Sequence, residues 1–260
     1  MSDTMPTIFF GHGSPMNALG GTGYSDRWRE IGAGLPRPDA VLCVSAHWYV
    51  RGSHVTAMAA PRTIHDFGGF PPELSAIRYP APGDPALARR VSELLAPVPV
   101  GLDEGEWGLD HGTWSVLVHV FPDADIPVIQ LSIDRTLSGA AHHALARGLA
   151  PLRDEGVLVV GSGNIVHNLR RMNWDLGDGD GFDWARRFDA RVRELIAAGD
   201  GEALANLERL GADAGLSIPT PEHYLPLLYV LALRRPGEEP AYPVEGYTGG
   251  SISMTSLRFG

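Results

Sequence analysis

The stretch TIFFGHGSP, residues 7–15, sets a run of strand-forming residues directly against a glycine, a histidine and a second glycine. A short apolar run closed by a turn residue reads as a buried strand, so the histidine stands just past a strand's carboxyl end. The pattern recurs. AVLCVSA (40–46) leads into His47, and VLVVGS (157–162) leads a few residues later into His167. IPVIQLSI (126–133) reads as a further strand, and SISMTSLRF (251–259) alternates like an antiparallel edge strand. Between these runs lie segments of helical spacing: DPALARRVSELLA (84–96), GAAHHALARGLAPLRDEG (139–156) and FDWARRFDARVRELIAAG (182–199). Strands alternating with helices predict an α/β fold, with a largely parallel central sheet flanked by helices. A chain of 260 residues without a composition break is expected to form a single domain, residues 1–260.

Composition narrows the chemistry. Acidic residues outnumber basic ones 31 to 21, giving a net charge of −10, and no polybasic run is present. Nucleic acid and anionic membrane surfaces are therefore not expected partners. All 21 basic residues are arginine. Without lysine there is no Schiff-base amine and no Walker-type phosphate loop. The single cysteine, Cys43, lies in an apolar run and reads as a buried, inert thiol. No stretch has the form of a secretory signal or a bilayer-spanning helix, so a soluble cytoplasmic protein is expected.

The segments 48–82 and 98–114 are long, rich in Pro, Gly and aromatic residues, and read as loops that build a site. DLGDGDGFD (175–183) has some of the Asp/Gly spacing of a calcium loop but lacks its closing glutamate, and reads as a surface turn.

Ten histidines are present. His12, His47 and His167 each follow a strand, and in open α/β sheets the ligand crevice lies beyond the strands' carboxyl ends. One such histidine alone is an ordinary turn residue; several at one mouth suggest a metal site. His223 follows Thr220, Pro221 and Glu222 ahead of an apolar run, where Thr220 suits an N-cap and the helix dipole would favour neutral imidazole. His111, in a Gly- and Trp-rich loop, and His65 are further candidates, and His54 could be either ligand or loop residue. His142 and His143 are expected to be solvated and His119 to be packed in the core. An imidazole-rich, thiolate-free set with Glu222 adjacent suits Fe(II), Zn(II), Mn(II) or Cu(II).

Taken together, GHGSPMN (11–17), SAHW (45–48), TIHDFGGFP (63–71), DHGTW (110–114), GNIVHNL (163–169) and TPEHYLPLLYVLA (220–232) resemble the class III extradiol ring-cleavage dioxygenases of the LigB superfamily, and among them the 4,5-DOPA dioxygenase extradiol-type proteins. The resemblance runs from residue 7 to the C-terminus. It implies a LigB-like mixed α/β sheet and a mononuclear non-haem metal held by His12, His47 and His223. It also implies His167 as acid/base, with His167 a further ligand in zinc-loaded relatives, and His111 as the second active-site histidine. Glu222 competes with His223 for the last ligand position, and His223 is favoured. The implied reaction opens a catecholic ring, DOPA-like or other, with O₂ and Fe(II); Zn(II) is the ion expected in a purified sample. Trp48, Phe67 and Phe70 could wall a flat ring, with simple packing an equal reading, and Arg51, Arg62 and Arg78 could meet a substrate carboxylate, although surface solvation explains each of those arginines better. Three other readings are open: a zinc-dependent hydrolase on the same histidines, a non-catalytic metal-binding member of the superfamily, and a serine hydrolase using Ser14 or Ser162. The last lacks a G-x-S-x-G elbow.

Overall fold

In the computed structural model, which describes residues 4–260, the apolar runs form the middle of a mixed sheet. The strands are β1 (Thr7–Gly11), β2 (Ala40–Val50), β3 (Ser53–Thr56), β4 (Val100–Asp103), β5 (Val128–Asp134), β6 (Val157–Gly163), β7 (Asp178–Gly179), β8 (Ala241–Val244), β9 (Tyr247–Thr248), β10 (Ile252–Ser253) and β11 (Ser256–Phe259). Eight of them make one sheet in the order β4-β3-β5-β2-β6-β1-β11-β8; β10, β9 and β7 make a small second one. Strands β5, β2, β6 and β1 pair in parallel, while β11 and β8 add antiparallel. The helices are α1 (Gly23–Gly34), α2 (Pro72–Ala76), α3 (Pro85–Leu94), α4 (His111–Val120), α5 (Gly139–Ala146), α6 (Asp183–Ala198), α7 (Gly201–Ala205), α8 (Ala214–Ser217) and α9 (Leu225–Ala232). The expected α/β class, with a largely parallel sheet between helical layers, is the architecture observed.

Alternation along each strand divides the core between two faces. Ile8, Phe10, Val41, Cys43, Leu158 and Val160 face the layer containing α1 and α4. Phe9, Leu42, Val44 and Val159 face the layer containing α3, α5, α6 and α9. Cys43 is fully buried, and burial pushes its thiol pKa well up, as an inert thiol requires.

Local structure departs from the sequence expectations in several places, each with a physical cause. Strand β2 runs on to Val50 and carries His47 within it, through a register irregularity between Val44 and Tyr49. The segment 48–82 contains β3 and α2, and 98–114 contains β4. His111 opens helix α4, because Asp110 is its N-cap and accepts from the Thr113 amide. Thr220 caps nothing: α9 begins at Leu225 after Tyr224, and the Thr220 hydroxyl bonds Glu222 instead. The segment 139–156 ends its α-helix at Ala146 and continues as a 3₁₀ turn, Arg147–Arg153, through Pro151. His142 is fully buried, not solvated, since Nδ1 meets the Tyr229 hydroxyl and Nε2 the Asp134 carbonyl. Residues 252–253 and 256–259 form two short strands, and β8 lies outside β11, so β11 is not an edge.

Arg153, fully buried, ties the N-terminal segment to the turn after α9. Its Nε donates to the Met5 carbonyl, Nη1 donates to the Leu233 carbonyl at 2.7 Å, and the guanidinium pairs with Glu238. Burial alone would raise the Glu238 carboxyl, but Arg153 and the Arg235 amide outweigh it and hold it below its ordinary value. A depressed folded-state pKa means the contribution is complete above the unfolded value of about 4.3 and is lost as pH falls through the lower folded value. Glu238→Gln leaves a buried, unpaired guanidinium and is expected to cost about 3 kcal/mol at neutral pH. It should also flatten the acid limb of stability, as urea unfolding between neutral and acid pH would measure.

Candidate metal centre

Five histidines converge beyond the carboxyl ends of the parallel strands. His12 follows β1, and its amide donates to the Gly163 carbonyl at the end of β6. Gly13 adopts φ +60, a left-handed turn suited to glycine, where the chain leaves the strand. His223 lies in the turn before α9, and its carbonyl accepts from the Asn164 amide at 2.8 Å. That approach requires Gly163, where a Cβ would stand 2.1 Å from the His223 oxygen. His47 enters from β2, His111 from the first residue of α4, and His167 from the segment after β6.

The outer nitrogens of two rings have hydrogen-bond partners, and that of a third faces a carboxylate. The Ser162 hydroxyl donates to the Gly112 carbonyl, so its oxygen accepts the hydrogen on His12 Nδ1, 3.0 Å away. His223 Nδ1 meets Glu222 Oε1 at 3.2 Å; a carboxylate only accepts, so this Nδ1 carries the hydrogen, and the Nε2 atoms of His12 and His223 present bare lone pairs. His47 Nδ1 lies 3.4 Å from Asp66 Oδ2, a charge contact without hydrogen-bond geometry. His12 Nε2 and His47 Nε2 stand 3.2 Å apart, a spacing filled either by a hydrogen on His47 Nε2 or by a cation.

Ring spacing fits a cation. The centroids of His12, His47 and His223 are 5.1, 5.4 and 5.1 Å apart, close to an equilateral triangle. Imidazole nitrogens bind a divalent ion at about 2.0–2.1 Å, which puts the nitrogens of three rings around one ion roughly 3 Å apart and their centroids roughly 5 Å apart. Two separate groups have donor atoms mutually within 4.8 Å: His12, His47 and His111, and His167, Glu222 and His223. In the first, His47 and His111 crowd to 3.8 Å between centroids. In the second, His167 lies on His223 at 3.5 Å with planes 5° apart, and two parallel rings aim their nitrogens side by side instead of at one point. Glu222 Oε1 is occupied by His223 and by the Thr220 hydroxyl at 2.7 Å. The residues therefore fit one ion on His12, His47 and His223, flanked by His111 and His167.

Electrostatics favour the neutral rings. Burial and then the neighbouring imidazoles push His12 and His223 well below the ordinary histidine value. His47 is lowered to about 3, chiefly by burial and His111, and His167 to about 4, chiefly by burial. The dipole of a helix starting at Pro221 plays no part, since no helix starts there.

Of three supporting residues, Asp66 and Asp110 carried no assignment from sequence, and Ser162 carried only that of a nucleophile. Asp66 lies 2.9 Å from His111 Nδ1, at an angle too bent for a hydrogen bond, accepts from the His111 amide at 3.0 Å and faces His47. Burial would raise its carboxyl, but His111 and His47 outweigh that and hold it at about 2. Ser162 is a buried hydrogen-bond relay, not a nucleophile. Asp110, raised to about 6 mainly by burial, accepts from Ser45 and Gln130 and so fixes the start of α4 beside the site. The one available signal for Asp66 was its place beside His65 in TIHDFGGFP.

The cavity over the histidines measures about 220 Å³, and Phe67 and Phe70 form part of its wall. Trp48 does not; it stacks on Trp107 with planes 3° apart. His65 sits behind Phe67, its Nε2 at the Ile77 carbonyl, and His54 bonds the Arg51 carbonyl. His119 is buried against the Asn17 carbonyl, as expected. Arg51, Arg62 and Arg78 do not line the cavity.

An α/β sheet whose strand ends gather buried, neutral imidazoles under a cavity of about 220 Å³ has the form of a mononuclear metalloenzyme. Residues 14–239 match the family described as the catalytic LigB subunit of aromatic ring-opening dioxygenase. The chain is 53% identical over 264 residues to "4,5-DOPA dioxygenase extradiol" of Escherichia coli (strain K12), covering 100% of this chain and 97% of that one. It is 36% identical to the protein of the same name from Beta vulgaris, covering 97% and 96%. The crystal structure of an uncharacterized protein from Escherichia coli K12 superposes with a TM-score of 0.86 at 47% identity, covering 98% of this chain and 100% of that one. The chain belongs to the LigB family of aromatic ring-opening dioxygenases.

Asp66→Asn keeps the size of the side chain but removes the charge facing His47 and His111. It is expected to lower metal affinity about 10- to 100-fold, the usual effect of losing a ligand-orienting carboxylate. Competition against a chromogenic chelator measures this, with the far-ultraviolet spectrum unchanged.

Proposed function

We propose that this protein is an extradiol ring-cleaving dioxygenase that opens a catecholic ring with O₂ at a mononuclear Fe(II) held by His12, His47 and His223, working in the cytoplasm as one domain over residues 1–260. The observation carrying the proposal is the near-equilateral triangle of the His12, His47 and His223 rings, buried and kept neutral beside two further imidazoles. When bound there, the iron supplies the redox chemistry toward dioxygen and acidifies the hydroxyls of a bound diol.

The chain's own residues perform the rest. His167, kept neutral by burial, has no hydrogen-bond partner for its ring among the described residues and is the group that takes a proton from a diol hydroxyl. Its stacking on His223 holds it beside the ligand set without competing for the ion. His111, steered by Asp66, is the second proton carrier and serves the oxygen that departs when the ring opens. Phe67 and Phe70 pack edge to face at 5.5 Å, flank a flat ring and keep water from the reacting carbons. The net reaction breaks the ring carbon–carbon bond next to the diol and leaves both atoms of O₂ in the product.

DOPA is the first catechol to assay, from the relatives' names. Anaerobic Fe(II) reconstitution followed by oxygen uptake with a catechol panel tests the proposal; no uptake with any catechol overturns it. His12→Ala and His47→Ala are expected to lose metal and activity together. His167→Ala and His111→Ala are expected to retain metal while turnover falls roughly 10²- to 10⁴-fold, the range for an acid–base group. Metal analysis run beside oxygen uptake separates the two outcomes.

A further inference from the structure

Two serines stand side by side toward the carboxyl ends of neighbouring strands. Ser45 on β2 and Ser162 on β6 are paired in register, and both are buried. Alternation puts Ser45 on the face of Val41 and Cys43, and Ser162 on the face of Leu158 and Val160, which is the face covered by α4. Apolar side chains fill that face until the site is reached, and there hydroxyls replace them. Both hydroxyl hydrogens go to the first turn of α4. Ser45 donates to the Asp110 carboxylate at 2.7 Å, and Ser162 donates to the Gly112 carbonyl. The turn is seated closely on the pair, since a Cβ at Gly112 would stand 2.5 Å from Ser45 Oγ and 2.8 Å from His47 Cδ2.

The two serines differ in what their oxygens accept. Ser45 Oγ takes a backbone hydrogen, from the His47 amide at 3.3 Å. Ser162 Oγ takes the ring hydrogen of His12 Nδ1 at 3.0 Å, and that nitrogen has no other hydrogen-bond partner among the described residues. A serine hydroxyl carries one hydrogen. With it spent on Gly112, the oxygen can only accept from the ring, so the His12 hydrogen is held on Nδ1 and Nε2 keeps its lone pair. Without the hydroxyl, Nδ1–H would be a buried donor with nothing to receive it. His12 would relieve this by carrying its hydrogen on Nε2, 3.2 Å from His47 Nε2, and the two rings would then close on each other across the place of the ion.

We infer that Ser162 is a positioning residue for the metal: held by the first turn of α4, it fixes which nitrogen of His12 is free to ligate and so sets the affinity of the site. The inference takes His12 as a ligand from the reading above, and its test needs no catechol.

Zinc affinity, measured by competition with a chromogenic chelator, is expected to fall about 10- to 100-fold in Ser162→Ala, the scale of losing a ligand's orienting partner. Ser45→Ala removes the neighbouring bond to the same turn and should fall much less. Nitrogen-15 spectra of the histidine rings in the metal-free protein give the direct readout, with His12 assigned by its loss in His12→Gln. The His12 hydrogen is expected on Nδ1 in wild type and in Ser45→Ala, and on Nε2 in Ser162→Ala. Unchanged zinc affinity in Ser162→Ala, an unchanged His12 tautomer there, or an equal loss of affinity in Ser45→Ala overturns the inference. If Ser162→Ala does not fold, the wild-type spectrum decides: a hydrogen on Nδ1 supports the assignment and one on Nε2 overturns it. Loss of oxygen uptake with every catechol in wild type counts against the ring-cleaving reading and leaves the zinc and spectral results standing.

Discussion

The rest of the site depends on the close approach of two imidazole nitrogens. His12 Nε2 and His47 Nε2 lie 3.2 Å apart, with His12 Nδ1 bonded to Ser162 and His47 Nδ1 facing Asp66. In a buried space of low dielectric, two lone pairs at that distance need a hydrogen or a cation between them. Burial and the surrounding imidazoles work against an added proton, which is why the ring pKa values fall. The arrangement is therefore better suited to a metal cation than to a charged ring.

Holding that approach requires backbone in unusual places. The ends of β1 and β6 are in register at Gly11 and Gly163, so His12 leaves the sheet directly beside the point where His223 packs down. Glycine is needed at both positions: a Cβ at Gly11 would fall 2.6 Å from the Met254 backbone, and one at Gly163 would strike the His223 carbonyl. On the other side, Asp110 caps α4 and accepts from Ser45 on β2 and Gln130 on β5, which sets His111 beside His47. His12 is placed by a strand end, His47 by β2 and His111 by a helix start, while His167 and His223 lie in the segments after β6 and before α9.

Much of this was legible in the sequence, and the limits follow from the physics. Strand runs such as VLVVGS are buried on both faces, so their composition alone identifies them, and the convergence of His12, His47 and His167 follows from where parallel strands end. Element boundaries were less legible where a side chain overrode local preference. Pro221 suits a helix start, yet the segment turns there because the His223 carbonyl serves β6. His142 looked solvated because GAAHHALA has little amphipathic contrast; its burial is decided by Tyr229, 87 residues away. Asp66 was the largest omission at the site. Its role depends on facing two imidazoles from other elements, a relation with no sequence spacing, whereas the six motifs of the family resemblance are local and could be read directly.

The three groups that face the outer ring nitrogens come from three different parts of the chain: Ser162 from β6, Asp66 from the segment after β3, and Glu222 from the turn before α9. None is adjacent in sequence to a histidine it holds except Glu222. A partly formed sheet would leave at least one ring free to rotate, and a rotated ring offers an N–H where a lone pair is needed. Complete ligation is thus a property of the finished fold alone. Metal affinity and global stability are for that reason linked, since an ion that binds only the completed set stabilises the native state by mass action.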